Sequence, residues 1–484
     1  MKKINFNIQY NLKTAIFTLS ALFFLYLLYL SVPSLYDTGR VQKVLYNKIL
    51  KEFQLNLSLS SNITYRILPL PHFHIQDSKI FQTKSDVSSE IGQVKNLKVF
   101  ISQNSLFNEQ NIKIKKLVFS EANFFFTESN LDFINKVLIE KFSKKKIFIK
   151  KSKAFFNDNS GDTIFIYSLK NLEYFMNFKD NSKILSTNGS IFKVPIKFHW
   201  IKKIDSNNTI SNFSAKNLDI DFSNKGEFYK DKSIYVSNLN ILSNNLKTDY
   251  IFDKNKKIIS VKSEKSLIKN TPISYKGIIE LSPFNFNLDV IAKDLDLNQL
   301  FKDQILFNEI ISSGIFSNKN LNGIVKIKSD KLYNNKIFDN GNININLQEG
   351  NINFDQSTLL KKNKFQLILV KSTFLNEDNN LILEGKLELN ILDIDEFYKI
   401  FPVPKKIKFK KKFKKINFEF SYSLIDATIA INKISFLNKK NDIEKSETLD
   451  DFVEDNYENR YTYSNPIFFK NFMKKALVTY LDEG

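Results

Sequence analysis

The chain has 484 residues, no cysteine and a formal net charge of +20. Without thiols it forms no disulfide and no thiolate metal site. Arginine occurs only at positions 40, 66 and 460, so the positive charge is nearly all lysine; it reads as solvated surface or as attraction to anionic lipid headgroups, not as the arginine-rich readout of a nucleic-acid binder.

Residues 1–13, MKKINFNIQYNLK, carry Lys2, Lys3 and Lys13 and no acid, a short tail expected on the cytoplasmic side. Residues 14–32, TAIFTLSALFFLYLLYLSV, follow without a charge and are long enough to cross a bilayer as a helix. A cleaved signal peptide is the competing reading, but the apolar run is long for one and Val32-Pro33-Ser34 is a poor cleavage site. The expectation is an uncleaved single-pass signal anchor with the body translocated.

Beyond Pro33 the pattern changes. Val41, Val44, Leu45, Ile49 and Phe53 fall at helical spacing after a cap at Asp37 or Thr38. Leu55, Leu57 and Leu59 then alternate with polar residues as a strand does. A strand pair broken at Pro69 and Pro71 comes next, then IGQVKNLKVFISQNSLFNEQNIKIKKLVFSEANFFF over 91–126.

The order of these pieces resembles the N-terminal region of the AsmA family of bacterial envelope proteins, the AsmA/TamB-like group: a span, an amphipathic helix, a short strand, a Pro-x-Pro strand, alternating residues ending in Ser-Leu-Phe, and Ile-Lys-Ile-Lys-Lys-Leu-Val-Phe. The resemblance is clearest over 1–126 and continues in style through GNININLQEGNINF (341–354). It implies a repeating β-groove protein of the inner membrane, with its bulk in the periplasm, that moves or positions phospholipid between the inner and outer membranes.

Further along, SNLDFINKVLIEKF (129–142) has a helical stripe, and shorter helical stretches are expected near 297–308 and 395–401. Strands dominate elsewhere. Phe192, Val194, Ile196, Phe198 and Trp200 alternate with polar neighbours; so do Leu218, Ile220 and Phe222, then Phe284, Phe286, Leu288 and Val290, then Leu383, Leu387 and Leu389 around Gly385. Asn-Asn pairs at 207–208, 244–245, 334–335 and 379–380 are expected to make the turns, because Asn tolerates the left-handed backbone. This divides the body into a β region at 33–300, a second at 301–437, and a tail at 438–484 that holds an acidic linker and an amphipathic stripe of Phe469, Phe472, Met473, Ala476 and Tyr480.

Nothing in the chain has the spacing of a P-loop, a dinucleotide fingerprint, a nucleophile elbow or a HExxH zinc site. His72, His74 and Asp77 form no closed ligand set, and acidic pairs such as Asp219/Asp221 read as a solvated strand face. The expectation is no enzyme, no metal and no cofactor. In KKIKFKKKFKKINF (405–418), Ile407, Phe409 and Phe413 alternate with lysines, so Lys406, Lys408, Lys410 and Lys412 are candidates for a rim that meets lipid headgroups; an ordinary outward face is the plainer reading.

A one-sided strand must cover its apolar face, by helices, by a second sheet, or by a ligand. The pattern alone leaves sandwich and groove open. The resemblance favours a mainly β fold with an N-terminal transmembrane helix followed by an elongated, curved antiparallel β-sheet groove and a few short helices. About 25 strands at ~4.8 Å would extend on the order of 120 Å. The candidate acyl-chain residues are Phe192, Val194, Ile196, Phe198, Trp200, Phe284, Phe286, Leu288, Leu383, Leu387 and Leu389. The expected partners are the membrane and phospholipid, with an envelope-protein partner and a role in assembling outer-membrane proteins as the alternative.

Overall fold

The computed structural model describes residues 8–84, 87–104, 106–127, 143–158, 161–229, 232–241, 244–253, 255–268, 271–281, 283–297, 314, 318–377, 380–408, 412–423, 428–438, 443–444, 450–454, 461–462 and 466–482. The helical expectation at 129–142, nearly all of 297–308, Asn379, Phe409 and Lys410 lie outside them. The fold is mainly β, with an N-terminal apolar helix, an antiparallel-rich curled sheet and few short helices. Two compact units emerge: residues 1–157, 165–190 and 197–207 in one, and 158–164, 191–196 and 208–484 in the other. The bulk of the second unit runs from 208.

In the first unit, helix α1 (Ile8–Ser31) leads through a 3-10 turn (Val32–Leu35) into α2 (Thr38–Phe53). The Asp37 carboxylate accepts from the Arg40 amide at 2.9 Å, which satisfies one of the first-turn donors. Spacing of four places Val41, Leu45, Ile49 and Phe53 on one buried face. That face packs on the inner side of strands β1 (Asn56–Ser58), β2 (Ile63–Arg66), β3 (His72–Lys84), β4 (Val87–Ile101), β5 (Ile114–Phe126) and β6 (Lys146–Asn157). Each such side chain contributes about 1.5–3 kcal/mol by burial. The pairing is antiparallel except for β5 with β6, which run parallel.

A crease crosses these strands. Asp77, Glu121 and Lys151 have φ of 53°, 55° and 48°, and the ladders are interrupted there and resume in the same register. The register shifts lie farther along, at Ile80/Phe81 and Phe100/Ile101; such bulges bend a sheet. Glu121 is tied to Lys95 at 3.0 Å, and the Ser152 hydroxyl accepts from the Ala122 amide at 3.0 Å. Strands β7 (Thr163–Asn177), β8 (Ser182–Ile191) and β9 (Val194–Lys203) follow. Phe192 and Lys193 are not in a strand: with φ of 48° and 64° they form the two-residue turn between β8 and β9.

The second unit holds β10 (Asn208–Ala215), β11 (Ile220–Phe228), β12 (Lys232–Ile241), β13 (Asn244–Asp253), β14 (Ile258–Ile268), β15 (Thr271–Leu281) and β16 (Phe284–Ala292), and from β11 on each is antiparallel to the one before. Leu218 lies in a 3-10 turn ahead of β11, so the strand starts two residues later than the alternation suggested. Strand β17 (Asn322–Ser329) adds parallel to β16. Then come β18 (Asn340–Gln348), β19 (Asn351–Asn353), β20 (Ser357–Lys361), β21 (Phe365–Glu377) and β22 (Asn380–Ile391), helix α3 (Ile394–Ile400), β23 (Lys415–Ser423), β24 (Thr428–Leu437), two-residue strands β25 (Ile443–Glu444) and β26 (Tyr461–Thr462), and helix α4 (Pro466–Asp482).

Three sequence expectations change here. The stretch 438–464 is not a free linker where it is described: β25 and β26 pair with β24, and Val453 is buried in the core. The basic run 405–418 is not one strand, since 405–408 is a turn and β23 begins at Lys415. Left-handed backbone positions are filled mostly by residues other than Asn, which holds only 181, 334 and 363 among the non-glycine cases described.

Candidate functional site

Among the described residues of the second unit, the inner face of the sheet is covered by helices in one part and not in another. In the second unit α3 and α4 cover the C-terminal strands. Phe397, Phe401, Met473, Ala476, Leu477 and Leu481 are fully buried against Phe365, Leu389, Ile416, Phe418 and Phe436. The Asp393 carboxylate caps α3 at the Asp395 and Glu396 amides, and Glu396 is clasped by Lys364 and Lys399. Their hydrogen bonds hold the Glu396 carboxyl down to about 2.

Leu389, a groove candidate, is therefore sealed at 0 % exposure under these helices. Leu383 belongs to a second closed cluster with Leu369, Leu381, Phe420 and Tyr422, and Leu387 packs between the two. Helix cover removes Leu389 from any lipid-accessible surface, whereas Leu383 is buried among strand residues and Leu387 is half-buried. Sequence periodicity placed them on the correct face, but no periodicity reports what covers a face.

Strands β15–β18 differ. Leu281 faces Phe284, Ile279 faces Phe286, and Gly277 faces Leu288, while Asn285, Asn287 and Asp289 point to solvent. Phe286 and Leu288 continue the rows to Gly323 and Val325, then to Leu347 and Ile345. Among the described residues, Phe284, Phe286 and Leu288 are half-buried and belong to none of the buried clusters. Gly323 is required at its position: a Cβ there would sit 2.4 Å from the Phe286 ring, which lies flat across it.

On β9, Val194, Ile196 and Trp200 are buried and Phe198 half-buried, all on one side, with Lys197 exposed on the other. The turn puts Phe192 at the tip of this hairpin. The stripe ends in Lys202. The Ser186–His199 contact of 2.7 Å and the Ile204 amide bond to Asn181 fix a register in which Lys202 stands opposite Lys183. Both lysines are buried, and burial pushes the Lys202 ammonium pKa down. Elsewhere in the first unit, Phe126, Phe156 and Phe165 stack in sequence at 5.3 and 4.3 Å between centroids.

Sequence reading missed a polar seam on the inner face of the second unit. Ser211, Asn224, Ser237 and Thr248 are cross-strand neighbours on β10–β13, and all are buried. Asn224 Nδ2 donates to Ser211 Oγ at 2.9 Å, Ser237 donates to Asn224 Oδ1, and Thr248 bonds the Tyr275 hydroxyl. Beside the seam Tyr235 and Tyr250 stack at 4.8 Å, and burial raises both phenol pKa values. The signal was present as small polar residues recurring in phase with the aromatics, such as Tyr235-x-Ser237-x-Leu239.

The other candidates disperse. Lys406 and Lys412 are exposed, while Lys408 leans over Tyr398 and lies 3.7 Å from Asp395. The His72 ring is buried and stacked on Phe100, with Nδ1 donating to the Leu70 carbonyl at 2.7 Å; His74 bonds Asn96. Among the described residues no group of three or more His, Cys, Asp or Glu is placed to hold a metal ion.

No protein-family model and no curated protein matches the chain. Among solved structures the chain is similar to the crystal structure of the Sex pheromone staph-cAM373 precursor, at 11 % identity over 66 % of this chain and 93 % of that one, with a TM-score of 0.11. A similarity at that level carries no argument.

Proposed function

We propose that the chain is an AsmA-like, inner-membrane-anchored protein that binds acyl chains along the open part of its inner sheet face and supports phospholipid transport across the periplasm. The observation that carries this reading is the half-buried row of Phe284, Phe286 and Leu288, alternating with exposed Asn285, Asn287 and Asp289 and left uncovered by α3 and α4. An apolar lane of this kind is occupied by a ligand or costs the protein solubility. Headgroups remain in water at the open edge while the tails follow the lane. No covalent step is involved, and the work is done by burial at ~0.8 kcal/mol per methylene.

The N-terminal apolar helix supports the anchor, and the order of α1, α2 and the first strands follows the pattern on which the family resemblance rests. The test is lipid recovery. Full-length protein purified in mild detergent carries phospholipid detectable by mass spectrometry, and the double variant Phe286→Asp/Leu288→Asp loses it while keeping its circular dichroism. Wild-type protein free of lipid ends the proposal.

A further inference from the structure

The exposed apolar part of α1 is too short to cross a bilayer before the body closes around it. Side chains from Thr14 to Leu28 are almost all exposed, whereas Leu30 is 5 % exposed and Pro33 is buried. At 1.5 Å per residue the free stretch spans about 22 Å, against a hydrocarbon core of about 30 Å. On its other side lies Lys13, whose charge marks the boundary there. The missing ~8 Å falls where the first unit already holds the helix: the Tyr65 hydroxyl donates to the Leu30 carbonyl at 2.7 Å, Tyr29 donates to the Gln103 carbonyl at 2.7 Å, and Tyr36 donates to Leu106.

The surface around these three tyrosines is unusually apolar. Leu35 is 84 % exposed, Leu68 79 %, Phe107 76 % and Leu70 46 %. The Phe107 ring lies tilted against Tyr29 with centroids 5.1 Å apart, Leu68 follows Tyr65 by three residues, and Leu35 directly precedes Tyr36. Exposed Arg40 and Arg66, two of the three arginines in the chain, lie beside them in sequence. Tyrosine, large apolar tips and a cationic fringe are the composition of a membrane-interface surface.

We infer that this base of the first unit is seated in the membrane, with Leu35, Leu68, Leu70 and Phe107 inserted among the lipids around the exit of α1. Its immersion supplies the thickness that the free helix lacks and fixes the body's orientation to the bilayer. The inference rests on the anchor reading, and the experiment separates the two.

The cysteine-free chain accepts single-cysteine probes without background. Full-length Leu22→Cys, Leu68→Cys, Phe107→Cys and Lys433→Cys, each labelled with the environment-sensitive fluorophore NBD, are reconstituted in phosphatidylethanolamine/phosphatidylglycerol vesicles with and without lipid spin-labelled near the headgroup. The expected result is blue-shifted emission at 22, 68 and 107, with shallow-label quenching at 68 and 107 about twofold or more above that at 433. Probes at 68 and 107 as wet as at 433, with 22 in lipid, overturn the inference and leave the anchor standing. A wet probe at 22 overturns both. Unchanged Trp200 fluorescence in each variant confirms that the fold is retained.

Discussion

The ring of Tyr480, near the end of α4, lies on the ring of Phe436 in β24 with centroids 3.9 Å apart and planes 2° from parallel. Tyr480 also meets Phe413 edge-on at 5.7 Å. The contact fastens α4 to the inner sheet face of the second unit. Tyr480→Ala leaves a cavity under the helix and is expected to destabilise the protein by about 3–5 kcal/mol, measured by denaturant unfolding followed through the loss of sheet signal.

Leu389 and Phe286 test the difference between covered and open positions. A charge at Leu389 is buried under α3 and α4 with no partner, so Leu389→Asp is expected to abolish soluble folded protein. Phe286→Asp places the charge on a half-buried lane and is expected to leave a folded protein that recovers less lipid. Expression with size-exclusion profiles reads the first effect, and lipid mass spectrometry the second. A well-folded Leu389→Asp protein would contradict the helix cover.

Gly323 and Phe286 form one unit. Adding a methyl at 323 drives it into the Phe286 ring and its flanking strand, so Gly323→Ala is expected to cost about 1–3 kcal/mol. Phe286→Ala in the same chain removes the clash, so the two losses should sum to less than their separate values in a double-mutant cycle.

The polar seam is expected to be sensitive to single deletions. Asn224→Ala removes the partner of the buried Ser211 hydroxyl and one of the partners of Ser237, and costs about 1–3 kcal/mol. A change below a few tenths of a kcal/mol would mean that water reaches the seam.

His72 gives a pH signature. Burial first, then the charges of Lys98, His74 and Arg66, hold its pKa below the ordinary 6.5, opposed by the Leu70 carbonyl bond. The folded state prefers the neutral ring, so its contribution is in place above about pH 6.5 and is lost as pH falls through the depressed folded value. The melting temperature of the wild type is expected to drop on acidification below pH 6.5, and that of His72→Phe to drop less.

Much of this molecule was written in its sequence. The uncharged run Thr14–Val32, the four-residue spacing of Val41, Leu45, Ile49 and Phe53, and the two-residue alternation at 284–290 are local periodicities, each with a single regular structure that buries its apolar positions. The sequence alone placed the N-terminal apolar helix, the amphipathic helix and these strands, and the side of the strand on which each stripe falls. What only the tertiary structure decided is occupancy of that side. Leu389 and Phe286 carry the same alternating pattern, yet one is sealed beneath α3 and α4 and the other is half-open, because cover is supplied by helix residues far along the chain. Phe192 shows the same limit at short range: it keeps the alternation but turns the hairpin, since its backbone follows the register of β8 and β9 and not its own hydrophobicity.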